Sequence, residues 1–116
     1  MTFVLTFGCH QYLIVPMHTA VAGFDWDDGN VQKCLKHGVA IDVIETFFRS
    51  TSLRVEPDIQ NSIGETRFRA IGRTDGGRAI FIVFTFRVRE SDTLIRPISA
   101  RYMHQKEIAA YEKENS

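Results

Sequence analysis

The sequence predicts an α+β fold in which an antiparallel β-sheet of about four to five strands packs against two N-terminal helices and one C-terminal helix. Three observations lead to this class. Apolar residues recur at helical spacing over 28–48, they alternate with polar residues over 53–101, and a helical pattern returns after residue 103. The length of 116 residues suits one domain, and the 9 Phe argue against a disordered chain.

The N-terminal helices are predicted from capping residues and from apolar spacing. Carboxylates before a helix accept hydrogen bonds from the free N–H groups of its first turn. Gly38 suits the position just after a helix, where the backbone often turns left-handed. The two helices are predicted over 28–36 and 39–48, and the N-cap candidates of the first are Asp25, Asp27 and Asp28.

The strands are predicted from two-residue alternation and from turn dipeptides. The run Asp75-Gly76-Gly77 tolerates the positive φ that a tight hairpin needs. Pro97 lacks the N–H that a central strand donates, so we expect it at a sheet edge or at a bulge. The predicted strands are 20–26, 53–56, 67–73, 78–89 and 93–101, with turns at 74–77 and 89–92 and a closing helix over 103–113.

The formal net charge is +0, which taken alone argues mildly against a nucleic-acid partner. The charges are segregated, however: residues 1–48 carry −3, residues 49–106 carry +5 and residues 107–116 carry −2. The basic part is almost all arginine, whose guanidinium fork binds phosphate through two hydrogen bonds and stays ionised. This distribution favours a nucleic-acid partner.

Strand geometry collects several of these arginines on common faces, because alternate residues of a strand point to the same side. On the last strand, Ser99 and Arg101 share a face and Arg96 lies on the opposite one. The alternative interpretation is a solvated face with cross-strand ion pairs. The residues that share one face around the strand 67–73 are Glu65, Arg67, Arg69 and Arg73.

The first 22 residues contain no Lys, Arg, Asp or Glu. We interpret them as an N-terminal extension, either an added strand or residues upstream of a true start at Met17. No run of 18 apolar residues exists, so no transmembrane helix and no membrane partner are expected. Cys9 and Cys34 match neither a disulfide framework nor a zinc spacing, which predicts free thiols, no metal and a reducing cytoplasm.

Five short motifs follow one another along the chain: Phe24-Asp25-Trp26-Asp27, Lys36-His37-Gly38-Val39, Gly64-Glu65-Thr66-Arg67-Phe68, Ile71-Gly72-Arg73 and Ile98-Ser99-Ala100-Arg101. Together they resemble the BrnT family of bacterial type II toxins. Each motif is weak alone, but five in the family's order are specific. The resemblance covers residues 23–112 of the sequence.

The resemblance implies a single toxin domain over 23–113 with a RelE-like ribonuclease fold, preceded by the extension 1–22. It favours Met17 as the start, because family members begin near the aromatic-acidic strand. It implies a toxin that cleaves RNA, arrests translation and growth, and is neutralised by a DNA-binding antitoxin. Glu65 is the only carboxylate of its motif, since Thr66 stands where the family commonly has an acidic residue.

RNA cleavage without a metal or cofactor uses the 2′-hydroxyl as nucleophile, so a site needs a base, an acid and cations for the charge that builds on phosphorus. His37 and Glu65 are the acid–base candidates, because both side-chain types exchange protons near neutral pH in suitable surroundings. The predicted catalytic cations are Arg67, Arg73 and Arg101, and the predicted RNA-binding residues are Lys36, Arg69, Arg96 and Ser99.

Several candidates also have a purely structural interpretation. His37 suits the last turn of a helix, and Ser99 suits a hydrogen bond to backbone. Glu65 suits an ion pair with Arg67 or Arg73. The function likewise has two alternatives, which are a non-catalytic RNA-binding domain and a protein-interaction domain that docks an acidic partner through the same arginines.

Overall fold

The computed structural model describes residues 2–6, 18–50, 53–62 and 64–114. The helices are α1 (Asp28–Leu35), α2 (Ile41–Phe48) and α3 (Gln105–Glu114), and a short 3₁₀ helix spans Ile59–Asn61. The strands are β1 (Phe3–Thr6), β2 (His18–Val21), β3 (Gly23–Phe24), β4 (Arg54–Pro57), β5 (Phe68–Arg73), β6 (Ala79–Arg89) and β7 (Asp92–Tyr102).

Five of the strands form one sheet in the order β3-β7-β6-β5-β4, and β1 and β2 form a separate antiparallel pair. The predicted α+β class, with two helices before the main strands and one after them, is confirmed. The sheet is mixed rather than wholly antiparallel, because β3 pairs with β7 in parallel. Sequence patterns reveal hairpins between neighbouring strands, whereas this pair joins strands far apart in the chain.

The three longest neighbouring strands, β5, β6 and β7, form an antiparallel meander with tight turns. The predicted glycine turn is confirmed: Thr74 and Arg78 are joined by a backbone hydrogen bond of 2.9 Å, and Gly77 has a φ of 85°. The second predicted turn is also present, although Glu90 and Ser91 adopt positive φ there without glycine. Both turns hold the outer strands in register beside β6.

A β-bulge interrupts β7 at Pro97, as predicted for a residue without an N–H. Val83 of β6 pairs with Ser99, and the next residue, Phe84, pairs with Pro97, so β7 carries one extra residue here. This extra residue reverses the alternation on its two sides. The prediction that Arg96 faces away from Ser99 was therefore wrong, because the bulge turns Arg96 to the same side.

The hydrophobic core lies between α2 and one face of the five-stranded sheet. Phe48 of α2 meets Phe84 of β6 edge to face, with 5.0 Å between the ring centroids, and both side chains are fully buried. Trp26 packs at the edge of this core and donates a hydrogen bond of 2.9 Å to Glu45. The opposite face of the sheet carries the polar residues that concern function, together with Ile71 and Ala79, which are buried there.

The described part of the N-terminal extension 1–22 contains two strands, β1 and β2, and Leu5 of β1 is fully buried in the same core. Strand β1 pairs with β2 from Phe3 opposite Val21 to Thr6 opposite His18. Met17 lies outside the described residues, and the start at Met17 and the domain boundary at residue 23 stay predictions. No helix in the described ranges has the length and apolar character needed to cross a bilayer.

Candidate functional site

The face of the sheet opposite the core is rich in arginine. Cross-strand partners share a face, so the register shows which arginines point away from the core. Strict alternation along β7 would place Arg96 on the core face, and the bulge brings it to the outer face. Arginines at 54, 67, 69, 73, 87, 89, 96 and 101 lie on this outer face.

A cavity of about 290 Å³ opens between α1 and one end of the outer face. We call it the basic cavity, because basic side chains from four parts of the chain line it around a single carboxylate. Its lining residues are Gly29, Asn30, Lys33, Glu65, Arg67, Arg87, Arg96 and Ile98.

Glu65 is the carboxylate of the basic cavity, and two arginines hold it in place. Its Oε2 accepts a hydrogen bond from Arg87, and its Oε1 lies 3.9 Å from Nε of Arg67. Nε of Arg67 is itself buried and has no hydrogen-bond partner within the described residues. Four basic groups line the cavity with this one carboxylate, and although Asp25 and Asp27 pair with Arg96, the cations still outnumber the carboxylates, which suits an anionic ligand.

The acidic residues before α1 fix the position of Arg96 in the basic cavity. Nη2 of Arg96 lies 2.9 Å from Asp27 Oδ2, and Nη1 lies 3.6 Å from Asp25 Oδ2. Backbone hydrogen bonding from Asn30, together with the guanidinium of Arg96, holds the pKa of Asp27 below its usual range. Asp27 therefore stays ionised and keeps the guanidinium of Arg96 aimed along the outer face.

Asn30 ties α1 to the bulge in β7. Its side chain and that of Asp27 form a reciprocal capping box, with distances of 2.7 and 3.1 Å. The amide of Asn30 also donates to the carbonyl oxygens of Pro97 and Asp25, at 2.7 and 3.0 Å. Because Asn30 is buried and all these groups are satisfied, one side chain sets where the helix stands relative to the arginines of β7.

We expect Asn30→Ala to lower the free energy of unfolding by about 1–3 kcal/mol, since it leaves the buried Pro97 carbonyl without its donor. Urea unfolding followed by circular dichroism measures the change. Gln32→Ala, at an exposed position of the same helix, is the matched control and should change stability by less than about 0.5 kcal/mol. Equal effects of the two substitutions would contradict this role for Asn30.

A second group of outer-face arginines lies beneath α3. Arg101 binds Glu107 through two parallel hydrogen bonds of 2.7 Å each, and Arg73 binds Glu112. Six residues of one strand separate Arg67 from Arg73, which is about 20 Å at the usual rise. Arg73 and Arg101, predicted as catalytic cations, therefore lie at the other end of the outer face from the basic cavity.

The pair between Arg101 and Glu107 predicts a pH dependence. Arg101 and the backbone N–H of His104 lower the pKa of Glu107 from 4.5 to about 2. A carboxyl with a lowered pKa in the folded state stabilises it fully above about pH 4.5, and that contribution disappears as the pH falls through about 2. Wild type should therefore melt at a higher temperature than Glu107→Gln at neutral pH.

Thermal unfolding over a pH series measures this difference, which should shrink between pH 4.5 and 2. Glu90→Gln, at an exposed turn position, is the control and should match the wild type throughout. A difference between wild type and Glu107→Gln that persists at pH 2 would contradict the prediction.

The remaining predicted site residues lie outside both groups. Lys36 and His37 are exposed in the turn that follows α1, where Gly38 has a φ of 78°. Arg69 binds Glu56 of β4 at 2.7 Å, and Ser99 lies half-buried opposite Val83. The alternative of cross-strand ion pairs is thus confirmed for Arg69, and the ion pair of Glu65 with Arg67 is confirmed as well.

Sequence reasoning missed three polar side chains of the basic cavity, which are Lys33, Arg87 and Asn30. Arg87 and Thr85 lie two residues apart on β6 and therefore on the same face. The two-residue period could thus have identified Arg87 as an outer-face residue. No comparable signal marked Lys33 or Asn30, because their role depends on how α1 docks against β7.

The cysteine and metal predictions concern residues away from the basic cavity. Cys34 is a free thiol, as predicted, and burial raises its pKa to about 11, so it stays protonated and is no nucleophile. Cys9 lies outside the described residues. Among the residues that the structure describes, no three His, Cys, Asp or Glu side chains come together as metal ligands.

An arginine-rich sheet face with a basic cavity at one end is typical of a protein that binds a polyanion such as RNA. A family model described as the ribonuclease toxin, BrnT, of type II toxin-antitoxin systems matches residues 26–107. The chain belongs to this family, which confirms the resemblance of its five motifs. A comparison with curated proteins finds no match. The protein is therefore a ribonuclease toxin, with RNA as its target and an antitoxin as its partner.

Proposed function

We propose that the basic cavity is the catalytic site of a metal-independent endoribonuclease. The observation that carries this proposal is the position of Glu65, the one carboxylate that lines a cavity with Lys33, Arg67, Arg87 and Arg96. A base beside several cations is what attack by a 2′-hydroxyl on the neighbouring phosphorus requires.

In the proposed reaction, the Glu65 carboxylate removes the proton of the 2′-hydroxyl. The 2′-oxygen then forms a bond to phosphorus as the bond to the 5′-oxygen breaks, which leaves a 2′,3′-cyclic phosphate and a free 5′-hydroxyl. Arg67, Arg87 and Arg96 stabilise the negative charge that develops on the phosphoryl oxygens. Arg87 donates a hydrogen bond to Glu65, so the proposed base and one of the proposed cations are in direct contact.

His37 is the proposed acid that protonates the leaving 5′-oxygen. It lies in the turn that follows α1, the helix whose Lys33 lines the basic cavity. Lys36 lies at the same end of α1 and is proposed to bind the next phosphate. Both side chains are exposed and accessible to RNA.

Arg69 and Ser99 are proposed to bind RNA on the outer face between the two arginine groups. Arg69 follows Arg67 on the same side of its strand, and Ser99 shares that face on β7. The further proposals, that the fold is RelE-like, that the antitoxin binds DNA and that the toxin arrests translation in the cytoplasm, rest on the family resemblance alone.

The test is incubation of the purified protein with a defined RNA oligonucleotide in excess EDTA. We expect internal cleavage, with products that end in 2′,3′-cyclic phosphate and 5′-hydroxyl as identified by mass spectrometry. Cleavage that requires an added divalent ion would overturn the metal-independent mechanism. Binding of RNA without any cleavage would favour the non-catalytic RNA-binding alternative.

A further inference from the structure

The C-terminal helix lies over the second group of arginines, and its carboxylates pair with two of them. Glu107 binds Arg101, Glu112 binds Arg73, and the ring of Tyr111 lies 5.0 Å from the guanidinium carbon of Arg54. We call the three arginines, Arg54, Arg73 and Arg101, the α3 arginines. They come from three different strands of the outer face.

The pairing between α3 and these arginines has the geometry of phosphate recognition. Arg101 presents both terminal nitrogens to the two oxygens of Glu107, at 2.7 Å each. The same planar fork binds two oxygens of a phosphodiester with similar geometry. A carboxylate of α3 therefore occupies the position in which the α3 arginines would hold an RNA phosphate.

Apolar burial holds α3 in place only in part, because Ile108 and Tyr111 are half-buried. None of its described side chains is buried, and none belongs to the hydrophobic core. Its ion pairs are partly exposed, with Glu112 at 58% side-chain exposure, and exposed ion pairs stabilise only weakly. An anionic ligand that offers the arginines equivalent contacts can therefore compete with the helix for them.

The α3 arginines share their face with the basic cavity, and Arg73 and Arg101 also lie on strands that lead to it. Arg67 directly precedes β5 and Arg73 ends it, Arg96 and Arg101 lie on β7, and Arg69 lies between the two groups. A single RNA strand that enters the basic cavity can continue along the outer face toward α3. Arg69 therefore lies on the path from one group to the other.

From these contacts we propose that the α3 arginines form a second binding site for the RNA backbone, which the carboxylates of α3 occupy until RNA displaces them. The inference rests on the proposed function, because it extends the path of the RNA from the basic cavity. It makes α3 a built-in competitor of the substrate.

The experiment measures binding of an RNA oligonucleotide with 2′-O-methyl groups, which cannot be cleaved by 2′-hydroxyl attack. We compare the wild type with Glu107→Gln/Glu112→Gln at several salt concentrations. The double variant should bind about threefold to tenfold more tightly. Its salt dependence should steepen by about 0.7 in slope for each phosphate newly bound.

The matched control is Asp42→Asn/Asp75→Asn, which removes the same charge from two exposed carboxylates that line a cavity beside α2. It should bind RNA at most slightly more tightly than the wild type. Adding Arg101→Gln to the α3 double variant should abolish the gain. If the α3 variant binds no better than the control pair, the proposal is overturned.

Two further outcomes are decisive. If the double variant does not fold, the single variants Glu107→Gln and Glu112→Gln give the same test, each with a smaller gain. If the double variant gains affinity for the cognate antitoxin but not for RNA, the α3 arginines bind a protein and the RNA assignment is overturned. Because the probe cannot be cleaved, failure of the proposed catalysis leaves this result unaffected.

Discussion

Glu65→Gln is expected to reduce RNA cleavage by about 10²- to 10⁴-fold, the range that a general base contributes. The amide cannot accept the proton of the 2′-hydroxyl, but it keeps the size and most of the contacts of the carboxylate. The four cations of the basic cavity remain, so RNA affinity should be unchanged or higher. Single-turnover cleavage and binding of an uncleavable RNA separate the two effects.

Glu56→Gln is the matched control for this substitution. Glu56 lies on the same outer face and binds Arg69 at 2.7 Å, but it does not line the basic cavity. Cleavage by Glu56→Gln should stay within a few-fold of the wild type, since only a positioning contact changes. If both variants cleave RNA equally well, Glu65 is not the base.

Phe84→Ala is expected to lower the free energy of unfolding by about 3–5 kcal/mol, which is typical when a buried phenylalanine is truncated. Phe84 is fully buried, and its ring contacts Phe48, Phe68 and Phe86 at centroid distances of 5.0, 5.6 and 5.5 Å. It joins α2 to the centre of the sheet, so the lost volume leaves a cavity where both layers meet. Against a usual stability of about 5–15 kcal/mol, this change brings the fold close to unfolding at 37 °C.

Chemical denaturation of the purified variant measures the change for Phe84→Ala. Val88→Ala lies on the same strand at a position that is 71% exposed, and it should change stability by less than about 0.5 kcal/mol. A loss of less than about 1 kcal/mol for Phe84→Ala would show that the core relaxes to fill the space.

Local patterns predicted most of the secondary structure, because helices, hairpins and caps depend on neighbouring residues. Asp27 caps α1, Gly77 turns the first hairpin, and Pro97 lies at a bulge, as the sequence indicated. The parallel pairing of Gly23 with Leu94 had no local signature, since more than 70 residues separate the two. The strand predicted over 20–26 is divided at Ala22, whose N–H donates to Thr93 instead of continuing β2.

The candidate site was predicted in part for the same reason. Alternation placed Glu65, Arg67 and Arg69 on one face; the register places Arg69 on the outer face, and Glu65 and Arg67 line the basic cavity with Arg87 and Arg96 of that face. Alternation failed for Arg96, because the extra residue at the bulge changes the side to which it points. The sequence predicted Arg67, Arg73 and Arg101 together as catalytic cations. It did not predict that carboxylates of α3 bind Arg101 and Arg73, which separates these two from Arg67.

The sequence by itself determined the fold class, the family, and the number and order of the charged residues, since these depend on periodicity, motif order and composition. The net charge of +0 conceals an arginine-rich sheet, and that sheet is visible in the sequence alone. Only the tertiary structure decided which charges meet. Asp25 and Asp27 bind Arg96, and α3 covers Arg101, through contacts that join residues distant in the chain. Ion pairs depend on distances of a few ångströms, which the packing of α1 and α3 on the sheet sets and no sequence period encodes.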